Sequence, residues 1–408
     1  MSPFLLRVLI PIAALLCARA AASTDTPFVG TWAASAYAQG ARFEQQTLRQ
    51  IVHTSIGGAS ARIHLSNVFG DAPLRIADVH LALRDHDAAI VASTDTEVTF
   101  DGAAEITIAA GAGAVSDPVP FAVPPLADVA ISLYLPEATG AATGHGFALQ
   151  TNYVVPGDAS AAIDLADAQQ VRNYYFLSGL DVQNPAAIGA VVAFGASITD
   201  GYDSTPDSNR RWPNRLAENL AAAGVDIGVL NEGISGNRLL FDGNGPSALS
   251  RFERDVLDQP GVRWVIFSDD PINDLGNDDP LPTVADFMAA IQDLMARAHA
   301  RGIAFICSTL TPFEGADYWT PQAEPAREAL NDFIRGADSG CDGVVDQDFA
   351  THDPARPTWY LPAYDAGDHL HPNDDGHAAI AAAVDPALFA EPVADAIFAD
   401  GFDGVAVR

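Results

Sequence analysis

The sequence predicts an α/β protein of two units: an all-β sandwich or jelly-roll domain, then a parallel sheet flanked by helices. Three observations predict it. Apolar residues alternate with period two from about Phe28 to Gly157. After about Asn184, continuous apolar runs separated by helix-length segments take over. With 408 residues, 49% of them hydrophobic, the chain is also long enough to bury a core in each unit. At roughly 150 residues per domain, two or three domains are expected.

Residues 1–22 read as a secretory signal peptide: Arg7, an apolar stretch from Val8 to Cys17, then Ala18-Arg19-Ala20-Ala21-Ala22. The apolar stretch is too short to cross a bilayer. The expected location is therefore secreted or periplasmic, with no stable membrane insertion. Leu16 is a poor fit to the small residue that a lipoprotein anchor at Cys17 would prefer.

In residues 23–185, Val79, Leu81 and Leu83 alternate with His80, Ala82 and Arg84, and Val129, Ile131, Leu133 and Leu135 alternate with Ala130, Ser132 and Tyr134. Such alternation marks half-buried strands, with Gly, Asp and Pro clusters as the turns between them. Many short strands without a helix form a sandwich or jelly roll.

In residues 186–392, Ile188–Phe194 is a continuous apolar run, as in a strand buried on both faces. Strand-like runs recur at Ile227–Leu230, Trp264–Phe267, Ile303–Leu310 and Gly343–Val345. One helix is expected from Trp212 to Ala223, stopped by Gly224. A second carries Val284, Phe287, Met288, Ile291, Met295 and Ala298 behind a Thr283 cap, stopped by Gly302. Strand and helix in alternation build a parallel sheet, whose ligands bind at the carboxyl ends of the strands. Residues 393–408 form a tail.

Charge narrows the partners. Asp and Glu number 53 against 21 basic residues, all of them Arg, for a net charge of −32. Phosphate backbones and anionic lipid surfaces repel such a chain, which excludes nucleic-acid binding. Beyond the signal, Cys307 and Cys341 remain. Thiols in an oxidising compartment often pair, yet Cys307 lies inside a strand-like run and Cys341 precedes the next one. The reading leans narrowly toward separate thiols. The oligomeric state is left open.

Four blocks sit just past strand ends or near the carboxyl terminus: Gly195-Ala196-Ser197-Ile198-Thr199-Asp200-Gly201, Asn231-Glu232-Gly233-Ile234-Ser235-Gly236-Asn237, Pro271-Ile272-Asn273-Asp274 and Asp368-His369-Leu370-His371-Pro372-Asn373. Acyl transfer needs a nucleophile, a base, an acid that orients the base, and donors for an oxyanion. Ser197 on a strand-to-helix turn suits the nucleophile. Its own N–H, the N–H of Gly236 and the amide of Asn273 suit the oxyanion. His371 suits the base, with Asp368 folding back within one turn to hold its second nitrogen. His369 and His377 are weaker alternatives.

These blocks resemble those of the SGNH/GDSL hydrolase family over about Gly189 to Val384. The resemblance implies a flavodoxin-like hydrolase domain, in which Ser197, Gly236, Asn273 and His371 take the family's roles and Asp368 completes a triad. It implies no metal or organic cofactor. In the β-rich part, Leu48-Arg49-Gln50-Ile51-Val52-His53-Thr54-Ser55 and Leu65-Ser66-Asn67-Val68-Phe69-Gly70 resemble the amino-terminal domain of a secreted bacterial and fungal subgroup. That subgroup includes predicted acylhydrolases encoded beside xylan-degrading enzymes. A secreted serine esterase is implied, acting on a small-molecule or polysaccharide ester, with acetate on plant polysaccharide as the expected substrate.

Two departures from the family pattern matter. Ala196 stands where the family has Asp, and Pro271 where it has Gly. Proline fixes φ and removes an N–H, which unsettles the placement of Asn273. Asp269 and Asp270, if they pointed inward, would raise the pKa of His371 and repel anionic substrates. A lipid or aryl-ester acylhydrolase, an acyltransferase using the same residues, and a catalytically weakened carbohydrate-binding protein are the alternatives. Among the remaining motifs, Asp200 reads as a helix cap, Arg210-Arg211-Trp212 as helix-start packing, and Asn277-Asp278-Asp279 and Asp374-Asp375 as solvated surface rather than calcium loops.

Overall fold

The computed structural model describes residues 26–277 and 280–389. The segment read as a signal peptide, with Cys17, the Asp278-Asp279 pair and the carboxy-terminal tail lie outside the described residues.

The amino-terminal part is all antiparallel β. Gln46–His53 pairs with both Asp128–Leu135 and Asn152–Pro156, and Asp128–Leu135 also pairs with Leu74–His86; these strands form the middle of an eight-stranded sheet. A four-stranded sheet runs in the order Phe28–Ala33, Leu177–Gln183, Ala61–Ser66, Gly113–Val115. The period-two residues behave as the alternation requires. Leu48, Val52, Val79, Leu81, Val129, Ile131 and Leu133 from the larger sheet share one core with Ile63, Leu65, Leu180 and Val182 from the smaller.

The opposite face of the large sheet is not simply solvated. Ile51, Ala82, Ala130, Tyr153 and Val155 form a second small cluster with Leu165 and with alanines of the 159–168 segment. Arg49 sits fully buried beneath that segment and donates to Ser132 Oγ and to the carbonyls of Ala88, Ser160 and Ala162. A cation satisfied by carbonyls anchors a stretch that has no regular structure of its own.

In the carboxy-terminal part, Ile227–Gly233, Gly189–Gly195, Val262–Phe267, Ala304–Ser308 and Gly343–Val345 stand parallel in that spatial order. This is the 2-1-3-4-5 order of the flavodoxin-like folds, whose binding crevice opens where the chain switches direction, at the carboxyl ends of the first and third strands. Every residue of Gly189–Gly195 is buried, which explains its unbroken apolar run. The helix Trp212–Ala222 carries Pro213 in its first turn and is followed by Gly224 at φ +71°. Val284–Ala300 begins with a reciprocal cap between Thr283 and Asp286. No helix of the described residues is long and apolar enough to cross a membrane.

The β part seals the exposed edge of the parallel sheet. Gly30 N donates to Pro260 O at 2.9 Å and Val229 N to Ser55 Oγ at 2.9 Å. A Cβ at Gly228 would lie 2.0 Å from Gly30 O, so only glycine permits this approach. Val29, Ile56, Val229 and Leu230 belong to one continuous core.

The lean toward separate thiols is corrected. Cys307 and Cys341 form a disulfide with Cα atoms 5.8 Å apart. Cys307 lies opposite Val344 of the neighbouring last strand, and Cys341 stands two residues before that strand begins, which brings the two within reach. The closed loop spans 34 residues. Replacing both cysteines by alanine should lower stability by about 2–4 kcal/mol in urea unfolding. A reductant should lower the wild type equally and leave the double variant unchanged.

Candidate active site

The turn that carries Ser197, the candidate nucleophile, follows the central strand. Ser197 is the first residue of the short helix Ser197–Asp200, so its N–H has no intrahelical partner. Asp269, just past the neighbouring strand, clamps this turn. Its Oδ1 accepts from Ala196 N at 3.1 Å and Thr199 Oγ1 at 2.6 Å, and its Oδ2 accepts from Ile198 N at 2.8 Å. A Cβ at Gly195 would come within 2.4 Å of the same carboxylate, so the strand must end in glycine. Asp269 therefore points at the donors of this turn. Where Ala196 lacks a carboxylate, Asp269 supplies the turn's hydrogen bonds from the adjacent strand.

His371 reaches the turn from the far end of the chain. Its Nε2 lies 2.9 Å from Ser197 Oγ, and its Nδ1 lies 2.6 Å from Asp368 Oδ2. Asp368 Oδ1 also accepts the backbone N–H groups of Leu370 and His371, at 3.0 and 2.9 Å. Nδ1 facing a carboxylate keeps the proton there and leaves Nε2 to accept from the serine hydroxyl. Partial burial pushes the Asp368 carboxyl up, but its bonds to the His371 ring and backbone outweigh that and hold it at about 2. It is anionic across the neutral range. Ser197 and His371 are each 7% exposed.

The other histidines go elsewhere. His369 bonds Asp365 through Nδ1 and meets the Trp359 ring edge-on. His377 is buried, donates from Nε2 to Tyr202 O, and is pushed down to about 4 by that burial.

The oxyanion candidates converge on the same cleft. Gly236 adopts φ +77° in the loop after Ile227–Gly233. Asp200 holds that loop, accepting from Ser235 N at 2.9 Å and Ser235 Oγ at 2.6 Å, rather than capping its own helix. Asn273 lies on the helix Asp270–Asn277, and Pro271 falls in its first turn, where a missing N–H costs nothing. The proline thus leaves Asn273 well held. Its Nδ2 donates to Asn237 O at 2.8 Å and its Oδ1 accepts from Tyr318 Oη at 3.3 Å, leaving a second amide proton for a ligand. Asp270 faces Arg251 rather than His371, and burial raises its carboxyl to about 7.

Ser197, Gly236, Asn273 and His371 line one cleft of about 540 Å³, whose further walls include Tyr202, Arg238, Asn244, Asn277, Tyr318 and Leu370. Among the described residues, one trio could share a cation: Asp203, Asp368 and His371. A metal there would take His371 away from Ser197. Arg210 pairs with Asp374, which also accepts from Thr205 N and Oγ1, so Asp374 is tied into the site's outer loop rather than merely solvated. Trp212 packs in the core at its helix start, as expected.

Asp269, Tyr202, Tyr318, Asn244 and Asn277 were not expected as site residues. Only Asp269 carried a signal: it follows the strand that must neighbour Gly189–Gly195 in a doubly wound sheet. An Asp269→Asn variant should lose roughly 10- to 100-fold in kcat at nearly constant KM. An unchanged kcat in this variant would contradict the clamp.

Residues 193–379 match the model of the GDSL-like lipase/acylhydrolase family. A comparison with curated proteins gives no significant match. Similar solved structures include a GDSL-like lipase from Bacteroides thetaiotaomicron (19% identity, covering 49% of this chain and 87% of that one, TM-score 0.38). Others are an alpha/beta hydrolase enzyme from the metagenome of Lake Arreo (24%, 48% and 94%, 0.38) and a variant of an acetyl xylan esterase from Geobacillus stearothermophilus (24%, 48% and 93%, 0.37). With the turn that carries Ser197 and the His371 loop inside the matched segment, residues 193–379 are a GDSL-like lipase/acylhydrolase domain, and the protein belongs with the carboxylic ester hydrolases.

Proposed function

We propose that the protein is an exported serine esterase that removes short acyl groups, such as acetyl, from a polar, hydroxyl-rich alcohol such as a carbohydrate. The observation that carries the reading is the relay from Ser197 Oγ to His371 Nε2 at 2.9 Å and from His371 Nδ1 to Asp368 at 2.6 Å.

Ser197 Oγ attacks the ester carbonyl carbon while its proton passes to His371 Nε2. Asp368 stabilises the resulting imidazolium. The tetrahedral oxyanion is met by the N–H groups of Ser197 and Gly236 and by the Asn273 amide. As the C–O bond breaks, His371 returns its proton to the leaving alcohol. Water then attacks the acyl-serine, giving its proton to His371, and the carboxylic acid leaves with Ser197 restored. The sequence of steps requires no metal or organic cofactor.

Substrate class is argued from the walls. Arg238, Asn244 and Asn277 offer hydrogen bonds and Tyr318 an aromatic ring to a sugar, and Leu370 is the aliphatic side chain among the walls named. A long acyl chain has little to bury against there. A separate apolar groove formed by Leu240, Phe241, Leu249 and Leu281 favours the second reading, a longer acyl or aryl ester. Export is supported by the signal-like leader and by the disulfide, which suits an oxidising compartment.

The test is hydrolysis of p-nitrophenyl acetate, butyrate and octanoate, together with acetate release from acetylated xylo-oligosaccharides. Acetyl esters should be preferred, and Ser197→Ala should reduce turnover by roughly 10³-fold or more. Faster octanoate hydrolysis would move the substrate to lipid esters. An active Ser197→Ala variant would sink the mechanism.

A further inference from the structure

Every residue of the proposed reaction lies in the α/β part, yet the β part reaches the same centre at two points through one short segment. Thr143–His145 is the middle strand of a three-stranded sheet, between Tyr174–Tyr175 and Tyr37–Ala38. Gly146 follows, its N–H donated to Tyr37 Oη at 3.0 Å and its carbonyl accepting from Asn173 Nδ2 at 3.3 Å. A Cβ on Gly146 would sit 2.4 Å from Tyr37 Oη, so a larger residue there would push on that hydroxyl. The segment is thus held firmly on its own side.

On the first route, both ring nitrogens of His145 face acceptors. Nδ1 lies 2.9 Å from Ser35 O and Nε2 lies 3.0 Å from Asp200 Oδ1. Two acceptors require two N–H groups, so the ring is an imidazolium paired with the Asp200 carboxylate inside the protein. Burial by itself would push the ring's pKa down, and Asp200 more than reverses it. The second oxygen of Asp200 holds Ser235 N and Oγ, one residue before Gly236.

On the second route, the Phe147 ring stacks on Tyr202 at 5.1 Å with 14° between planes, and Tyr202 in turn covers His371 at 4.2 Å. The backbone of Tyr202 is tied at both ends, its N–H to Ser197 O and its carbonyl to His377. Phe147 therefore packs on the same ring that covers His371.

We infer that the β-rich domain is a working part of the active site: His145, acting through Asp200 and Ser235, positions the Gly236 oxyanion donor, and Phe147, acting through Tyr202, positions the His371 ring. The inference rests on the catalytic roles proposed above. His145 and Phe147 touch neither substrate nor reacting atoms; they are positioning residues.

The test uses the full chain and counts active sites by titration with a slowly turned-over ester, so that misfolded protein does not enter kcat. His145→Ala and Phe147→Ala should each lose on the order of 10- to 100-fold in kcat per titrated site, with KM changed by no more than about threefold. His145→Gln retains an N–H that can reach Asp200, and Phe147→Tyr retains the ring; both should recover most of the loss. Phe147→Leu keeps bulk without a ring plane and should behave as the alanine variant does, which preserves the comparison if Phe147→Ala does not fold. Normal kcat per titrated site in the alanine and leucine variants would overturn the inference. Equal losses in the conservative pair would overturn it too. If activity survives Ser197→Ala, the catalytic reading itself fails; if Ser197 is essential and these variants are neutral, only the present inference does.

Discussion

One buried cation ties the site together. Arg251 has a side chain with no exposure, and its guanidinium rests over the Phe194 ring at 4.1 Å. It donates to Gly195 O at 2.8 Å, at the end of the central strand, and to Glu232 O at 2.6 Å, near the end of the next. It also reaches Asn237 Oδ1 at 2.9 Å in the Gly236 loop and Ser35 Oγ at 2.9 Å in the β part, with the carboxyls of Asp255 and Asp270 beside it. A charge taken out of water must have all its donors satisfied, and breaking such a set costs several kcal/mol. The carbonyls that satisfy Arg251 are those that fix where the nucleophile turn and the oxyanion loop begin. Asn237 passes the restraint on, since its carbonyl receives the Asn273 amide.

Around that anchor, the catalytic pieces are held by carboxylates with separate duties. Asp269 takes the amides of the nucleophile turn, Asp200 takes the oxyanion loop, Asp274 takes the N–H groups of Leu239 and Leu240, and Asp368 takes the imidazole. Each accepts from backbone N–H groups or a ring nitrogen, which are short-range and directional interactions. The net charge of −32 is therefore no obstacle to a site that must stabilise an oxyanion. These four acids are turned into their own donors, and amide groups face the cleft.

What could be read from the chain was what is local. Period-two alternation located the sandwich strands, the unbroken run at Ile188–Phe194 located the central strand, and Gly224 and Gly302 marked helix ends. The blocks around Ser197 and His371 carried their chemistry within a few residues, as the Asp368–His371 turn illustrates. What escaped depends on neighbours distant in sequence. The disulfide follows from strand order. Asp269 lies 73 residues from the amide of Ala196 that it receives, and His145 lies 55 residues from Asp200. Pro271 looked like damage to the third block because its helix start was not visible from spacing alone. Ala82 and Ala130 stood on the polar side of the alternation until an irregular segment, pinned by Arg49, covered them.

The most direct measurement is covalent capture of the nucleophile. The full chain would be treated with a fluorophosphonate ester, a mimic of the tetrahedral intermediate, and the modified peptide mapped by mass spectrometry. Phosphonylation confined to Ser197, and slowed severely in His371→Ala, is the expected result. Labelling of Ser235, the other serine lining the cleft, or labelling of Ser197 at an unchanged rate without His371, would contradict the assignment of nucleophile and base on which the mechanism stands.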